Sequence, residues 1–316
     1  MNQATLVKKA MAVGRAHAET TLTRRATALK KRQQALARHP NPLTLRVQTF
    51  AAKGAPTAVV EVQSAGWLVA EGDSWFDYPF HDVLKELQDH YGYDVASVAH
   101  AGDPIEAMAY SGKQLDDFCR AVEGLLARQI TPKAILLSGG GNDIAGQEFG
   151  MLLNHAASAI AGLNAAIVAG VINQRIFTAY VTILNAVTTL CQKKLGRALP
   201  ILIHGYDYPV PDGRGFQVVW CNVLGPWLDP GFREKGFVDL PRKIALAHDL
   251  IDKFNDMLQQ LTSLAAFSHV HYINLRGTLS TGRDYTKWWE NELHPNEDGF
   301  QKVTAKFAAV LHNLPV

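Results

Sequence analysis

From residue 67 onward, short apolar runs alternate with stretches of helical periodicity, and this alternation constrains the fold more than any other feature of the chain. The runs at 67–70, 94–99, 134–138, 201–204 and 270–274 have the length and aliphatic character of buried strands. Around them, 82–90, 113–127, 149–192, 240–264 and 297–311 read as helices. Strands and helices in strict alternation imply an α/β protein, a three-layer α/β/α sandwich with a mostly parallel sheet. Right-handed crossovers bring the loops after these strands to one edge of the sheet, where ligands of such folds bind.

The first of these strands runs W-L-V-A-E-G-D-S-W-F-D-Y-P from Trp67 to Pro79, so Ser74 falls at a strand end. Taken alone, Asp73-Ser74 reads equally well as the N-cap of the next helix. Three further strand ends or helix starts are comparably polar. His100-Ala101-Gly102-Asp103 offers a glycine N–H that no Cβ shields. Ser138-Gly139-Gly140-Gly141-Asn142-Asp143 is a glycine-lined loop ending in an amide. Glu292-Leu293-His294-Pro295 sets an imidazole before the terminal helix, with Asn291 three residues earlier.

The net charge of +2 hides an asymmetry. Residues 1–60 hold eleven Lys and Arg and one acid, Glu19, leaving 20 basic and 28 acidic residues for the rest. Residues 1–62 are expected to form a basic, mostly helical extension and 63–316 the main domain, with a helical insertion near 149–195. Leu22, Leu29 and Leu36 recur every seven residues, fitting either a short coiled-coil contact or an amphipathic helix laid on the main domain. Pro40 and Pro42 end that helix, and 43–50 with 57–62 suggest a β-hairpin or edge strand. Such an arm suits an anionic membrane surface or a protein partner. The acidic body, which has no nucleic-acid reading motif, argues against nucleic acid.

Three scattered cysteines (Cys119, Cys191, Cys221) fit neither a disulfide framework nor a C-x-x-C metal site. With no secretory signal visible, the expected location is cytoplasmic, targeting by the basic leader being the alternative. Residues 149–174 contain no Lys, Arg, Asp or Glu. Their Asn, His and Ser residues suit a buried helical hairpin or an apolar cap over a site better than a membrane span.

The order Gly72-Asp73-Ser74, Gly102, Gly140-Gly141-Asn142-Asp143, His294 resembles the four blocks of the SGNH (GDSL) hydrolases. The resemblance covers roughly residues 65–312. It implies a flavodoxin-like α/β/α fold and hydrolysis of esters, including lipid, acetyl-sugar and thioester substrates. Ser74 is then the nucleophile and His294 its base, with the N–H groups of Ser74 and Gly102 and the Asn142 amide as oxyanion donors. No cofactor or metal is implied. The chain departs from the family at Asn291, where relatives carry Asp. An amide oxygen can fix the imidazole tautomer but brings no charge to the imidazolium. Glu290, Glu292 and Asp284 are alternative orienters, and a Ser-His dyad is another option.

Trp75, Tyr206 and Trp289 are candidate substrate-binding residues, with the bland alternative that such aromatics are core. The uncharged 149–174 stretch favours a lipid-like acyl group, while an acetylated glycan remains open. Two rival classes are a non-catalytic binding or scaffold protein on a hydrolase fold and a metallophosphoesterase. The second lacks its expected Gly-Asn-His-Asp histidine in this chain.

Overall fold

The computed structural model describes residues 3–39, 42–50, 56–146, 148–218 and 221–314. The chain forms two compact units: one runs through Gly66 and takes in Leu87–Asp94, and the other holds Trp67–Glu86 and everything from Val95 onward. In the first unit, helix α1 (Gln3–Arg38) leads into an antiparallel pair, β1 (Leu43–Phe50) and β2 (Pro56–Ser64). Thus the β-branched hairpin forms a small sheet of its own. Pro40 lies outside the described residues; Pro42 immediately precedes β1.

The heptad leucines of α1 do not share one environment. Leu36 is buried, whereas Leu22 and Leu29 are 64% and 60% exposed. Gly92 makes room for Leu36, since a Cβ there would approach its side chain to 2.7 Å. The Arg32 guanidinium donates to the Tyr93 carbonyl and, at 2.8 Å, to the Asp94 carboxylate. Those contacts fasten α1 to the 87–94 segment.

The remaining elements follow the predicted alternation. They begin β3 (Trp67–Glu71), α2 (Val83–Tyr91), β4 (Asp94–Ser97), α3 (Ile105–Tyr110), α4 (Lys113–Ala127), β5 (Ala134–Leu137) and a single turn, α5 (Gly141–Ile144). A short hairpin of β6 (Leu153–Asn154) and β7 (Gly162–Leu163) leads to α6 (Ala165–Gly170) and α7 (Phe177–Leu195). Then come β8 (Ile201–His204), the pair β9 (Phe216–Val218) and β10 (Cys221–Leu224), and α8 (Asp229–Glu234). The chain closes with α9 (Leu240–Thr262), β11 (Val270–Ile273) and α10 (Glu297–Asn313).

The five apolar runs become one five-stranded sheet in the order β11-β8-β5-β3-β4. β11 with β8, β8 with β5 and β5 with β3 pair parallel. Every residue of β5 and β8 is buried, as strands covered on both faces must be. Helices flank the sheet: α4 packs on β3, α9 on β8 and β11, and α10 on β11. The fold is therefore the α/β sandwich that the alternation predicts.

The uncharged stretch departs from expectation. It is not a helical hairpin: Phe149–Leu152 is one 3-10 turn, β6 and β7 follow, and the continuous helix starts only at Ala165. The cause is local. Asn164 takes a cap position, its side chain accepting from the Ile167 N–H and donating to Asn154 Oδ1 at 3.0 Å. These asparagines close a turn where apolar composition alone suggested helix. A π turn (Val171–Ile176) joins α6 to α7 and packs against α3 and α5. Ala165–Leu195 is long and apolar enough to cross a membrane by composition, yet α7 buries Tyr180, Ile183, Leu184 and Val187 within the protein.

Candidate active site

Ser74 sits in the turn that ends β3. The turn is held from within by Asp73, whose carboxylate accepts from the Trp75 N–H at 3.0 Å while its carbonyl accepts from Phe76 and Asp77. The same buried carboxylate accepts from the Ser138 hydroxyl at 2.8 Å and from the Tyr206 hydroxyl. Asp73 thus closes the turn with its own side chain and ties together the ends of β3, β5 and β8. Burial raises its pKa, while the bonds from Tyr206, Trp75 and Ser138 pull it back down. Gly72 permits the close approach, because a Cβ there would lie 2.8 Å from that of Ser138. Ser138 is also bonded at 2.8 Å to the buried His204 ring.

His294 reaches the same point from the start of α10. The loop before it folds back on itself, with a bridge between Trp289 and Pro295 and the Glu290 N–H donating to the His294 carbonyl. Asn291 Oδ1 accepts from the backbone N–H groups of Leu293 and His294, both at 3.0 Å, so the amide oxygen and not the nitrogen faces the ring. His294 Nδ1 lies 3.0 Å from that oxygen and must carry the proton. Nε2 is left with its lone pair 2.7 Å from Ser74 Oγ. Tyr78 stacks on the imidazole at 4.2 Å and Trp227 meets it edge-on at 5.3 Å. Burial pushes the imidazole pKa down to about 3, so the ring is neutral and able to accept a proton.

The alternative orienters lie elsewhere. Glu292 is fully buried and its carboxylate accepts four backbone N–H groups, those of Gly213, Trp227, Leu228 and Asp229. Asp284 accepts from the Ser280 hydroxyl. Burial raises the Glu290 carboxyl pKa, and the nearby Tyr78 hydroxyl and Arg214 pull it back down. Of the four candidates, Asn291 is the one bonded to the imidazole Nδ1.

The oxyanion candidates separate. Asn142 lines a cavity together with Ser74 and His294, its amide also donating to the Asp103 carbonyl at 3.2 Å. Gly140 lets this loop turn, with φ of +93° and a neighbour, Phe254, that a Cβ would meet at 2.6 Å. Asp143 accepts from the Ile105 N–H at 2.8 Å and is raised by burial to about 6. Gly102 lies in an exposed turn at φ +92° and does not line the cavity. That turn is tied to the first loop through the His100 N–H, which donates to the Gly72 carbonyl at 2.8 Å.

The cavity beside Ser74 measures about 50 Å³. Trp75, Tyr206 and Trp289 all line it, and all three are buried. Trp75 is at the same time core, stacked on His204 and donating its indole N–H to the Leu293 carbonyl at 3.1 Å. The far wall is apolar: Phe149 comes from the uncharged stretch that composition offered as a cap over a site, whereas Leu228 and Ala247, Leu250 and Ile251 of α9 were not legible in the sequence. A helix face that borders a cavity has the same period as one that packs in the core. Among the described residues, no group of three or more His, Cys, Asp or Glu side chains is placed to hold a metal ion.

No protein-family model matches the chain, and no curated protein matches it. The solved structures it resembles, all at low identity, include a candidate SGNH hydrolase and an acetylxylan esterase. A candidate SGNH hydrolase from Slackia heliotrinireducens is 11% identical over 78% of this chain and 98% of its own, with a TM-score of 0.44. A catalytic mutant of Axe2, an acetylxylan esterase from Geobacillus stearothermophilus, is 12% identical over 78% and 94%, with a TM-score of 0.39. A candidate platelet activating factor from Streptococcus pneumonia is 14% identical over 96% and 99%, with a TM-score of 0.42.

Proposed function

We propose that this chain is a serine ester hydrolase. The observation that carries the reading is the 2.7 Å contact between Ser74 Oγ and an unprotonated His294 Nε2 at the edge of a cavity. Ser74 Oγ attacks the acyl carbon and its proton passes to Nε2. The charge on the carbonyl oxygen is met by the N–H group of Ser74 and by the Asn142 amide, both of which border the cavity. The imidazolium returns its proton to the departing alkoxide, leaving an acyl-serine. Water then attacks that ester, giving its proton to His294, and the acid leaves as Ser74 recovers its hydrogen.

The size of the cavity supports a short acyl group over a lipid-like one. At 10–15 Å³ for each water-sized occupant, about 50 Å³ has room for roughly three to five non-hydrogen atoms. That corresponds to acetyl up to about butanoyl, and the acetylated-glycan reading fits it. The decisive experiment compares wild type with Ser74→Ala on p-nitrophenyl acetate and on a fluorophosphonate probe. Labelling and turnover in wild type only are expected; equal hydrolysis by both proteins ends the proposal.

A second reading has a specific observation in its favour. Asn291 gives the imidazolium no charge and burial disfavours it, as in a binding protein that has kept a hydrolase fold. Failure of wild type to react with the probe would support that reading. For the basic leader, an anionic membrane or a protein partner is the corresponding proposal. Liposome binding that survives deletion of residues 1–45 would refute a membrane role for the leader.

A further inference from the structure

The proposed nucleophile and its oxyanion donor stand on separate loops, Ser74 in the turn after β3 and Asn142 at the start of α5, beyond β5. Their separation has to be fixed in advance, because the amide must meet an oxygen whose charge appears only as Ser74 attacks. The residues just before them, Asp73 and Gly141, are bonded to one and the same side chain. The Gly141 N–H donates to the Tyr206 hydroxyl at 3.0 Å, and that hydroxyl donates to the Asp73 carboxylate. A backbone nitrogen can only donate, so the phenol oxygen accepts from Gly141 and its hydrogen is committed to Asp73. Tyr206 lines the cavity with its ring, yet it has no hydrogen left to offer a substrate oxygen.

We infer that Tyr206 is a positioning residue, which sets the Asn142 amide against Ser74 by tying the Gly141 N–H to Asp73. For its role in turnover the inference rests on the hydrolase reading. The tyrosine touches neither the reacting hydroxyl nor the imidazole through its hydrogen bonds; it acts through the two loops it joins.

Both ends of the tie are firm. Asp73 is buried and also accepts from the Trp75 N–H at 3.0 Å and the Ser138 hydroxyl at 2.8 Å. Tyr206 is held edge-on to Trp75 at 5.2 Å and against Phe254 at 5.5 Å, while the Asn255 amide donates to its carbonyl at 3.2 Å. Gly141 is what lets the loop come this close, since a Cβ there would lie 2.8 Å from the Tyr206 ring. Two other bonds hold the same loop. The Tyr180 hydroxyl of α7 donates to the Gly139 carbonyl at 2.8 Å, and Asp143 accepts from the Ile105 N–H of α3 at 2.8 Å. Those fasten the loop to flanking helices, whereas the Tyr206 bond fastens it to the neighbour of the nucleophile. Asn142 itself gives one amide hydrogen to the Asp103 carbonyl at 3.2 Å, which leaves the other for the oxyanion.

The test compares Tyr206→Phe, Asn142→Ala and their combination in the full-length protein. Tyr206→Phe keeps the packed ring and removes only the hydroxyl. It is expected to lower kcat on p-nitrophenyl acetate about tenfold to a hundredfold, as a misplaced catalytic group does, with KM unchanged. In the Asn142→Ala background there is no amide left to misplace, and Tyr206→Phe should change kcat less than about threefold. An undiminished loss in that background, an unchanged kcat in the single variant, or a change in KM alone would each overturn the inference. Magnetic resonance of the resting protein supplies a readout without turnover. In wild type the Gly141 amide should exchange slowly with solvent, and free exchange there overturns the inference with no variant needed. In Tyr206→Phe the Asn142 side-chain NH2 resonances should move while those of Asn255, which bonds the Tyr206 backbone, stay in place. Asn142 signals that stay put, or signals of both asparagines moving together, overturn it even in a chain without esterase activity. Wild type inert toward esters and probe would instead sink the hydrolase reading, and the resonances would still decide whether the tie exists.

Discussion

Replacing Leu250 by Ala should change which ester the protein prefers, by an amount that follows from the cavity. Leu250 is buried on α9 and its side chain forms part of the wall facing Ser74. The substitution removes three carbons, so the space beside the nucleophile should accept about three more acyl carbons than the three to five atoms that about 50 Å³ holds. Each methylene moved from water into that apolar space gains about 0.8 kcal/mol. Three of them sum to about 2.4 kcal/mol, or roughly fiftyfold in kcat/KM for hexanoyl over propanoyl relative to the wild-type ratio. The assay is kcat/KM for p-nitrophenyl esters from acetyl to octanoyl at fixed pH. Leu→Ala in a buried site also costs about 2–5 kcal/mol of stability, so a thermal melt should confirm that the variant is folded at the assay temperature. If the preferred chain length stays where it is in wild type, or the hexanoyl to propanoyl ratio moves less than threefold, the acyl group does not lie against α9. The short-acyl reading then falls with it.

Three further outcomes are expected. Asn142→Ala should lower kcat by about a hundred- to a thousandfold with little change in KM, as measured by steady-state kinetics, if its amide meets the oxyanion. Because burial lowers the His294 pKa from 6.5 to about 3, the base stays neutral as pH falls, and kcat/KM should be nearly equal at pH 5 and pH 7; a tenfold drop at pH 5 would mean an ordinary imidazole. Glu71 is the opposite case, its buried carboxyl raised from 4.5 to about 8. The stability it contributes is complete below pH 4.5 and lost as pH rises toward 8, since the unfolded chain releases its proton first. Glu71→Gln should therefore gain in relative melting temperature from pH 5 to pH 8, and a constant difference would refute the assignment.

The five strands were legible because parallel strands buried on both faces leave continuous apolar runs, and 201–204 matches β8 residue for residue. The 113–127 helix was legible for its periodicity, and the structure places α4 at those residues. Ser74 and Asn142 could be picked out as polar groups beyond apolar strands and His294 as an imidazole before the terminal helix, the order of the four blocks joining them. What surrounds them could not be. Tyr78 meets His294 across more than two hundred residues of chain, and no local pattern records a pairing made by the fold. Glu292, one residue from Asn291, looked like a possible partner of the imidazole, yet its carboxylate is turned onto four amides of another segment. The 149–164 part failed for a different reason: uncharged composition is shared by helices, hairpins and cavity walls, and only the asparagine turn chemistry separates them.

The buried Glu292 carboxylate has a consequence for anyone who would remodel this protein. By gathering amides from 213 and from 227–229, it makes the stretch before α8 and the stretch before α10 a single mechanical piece. Grafting a foreign loop into either one alone would strand a desolvated charge and tilt the imidazole away from its serine. Transplants that carry both stretches together would keep the anchor and could redesign the rim around it.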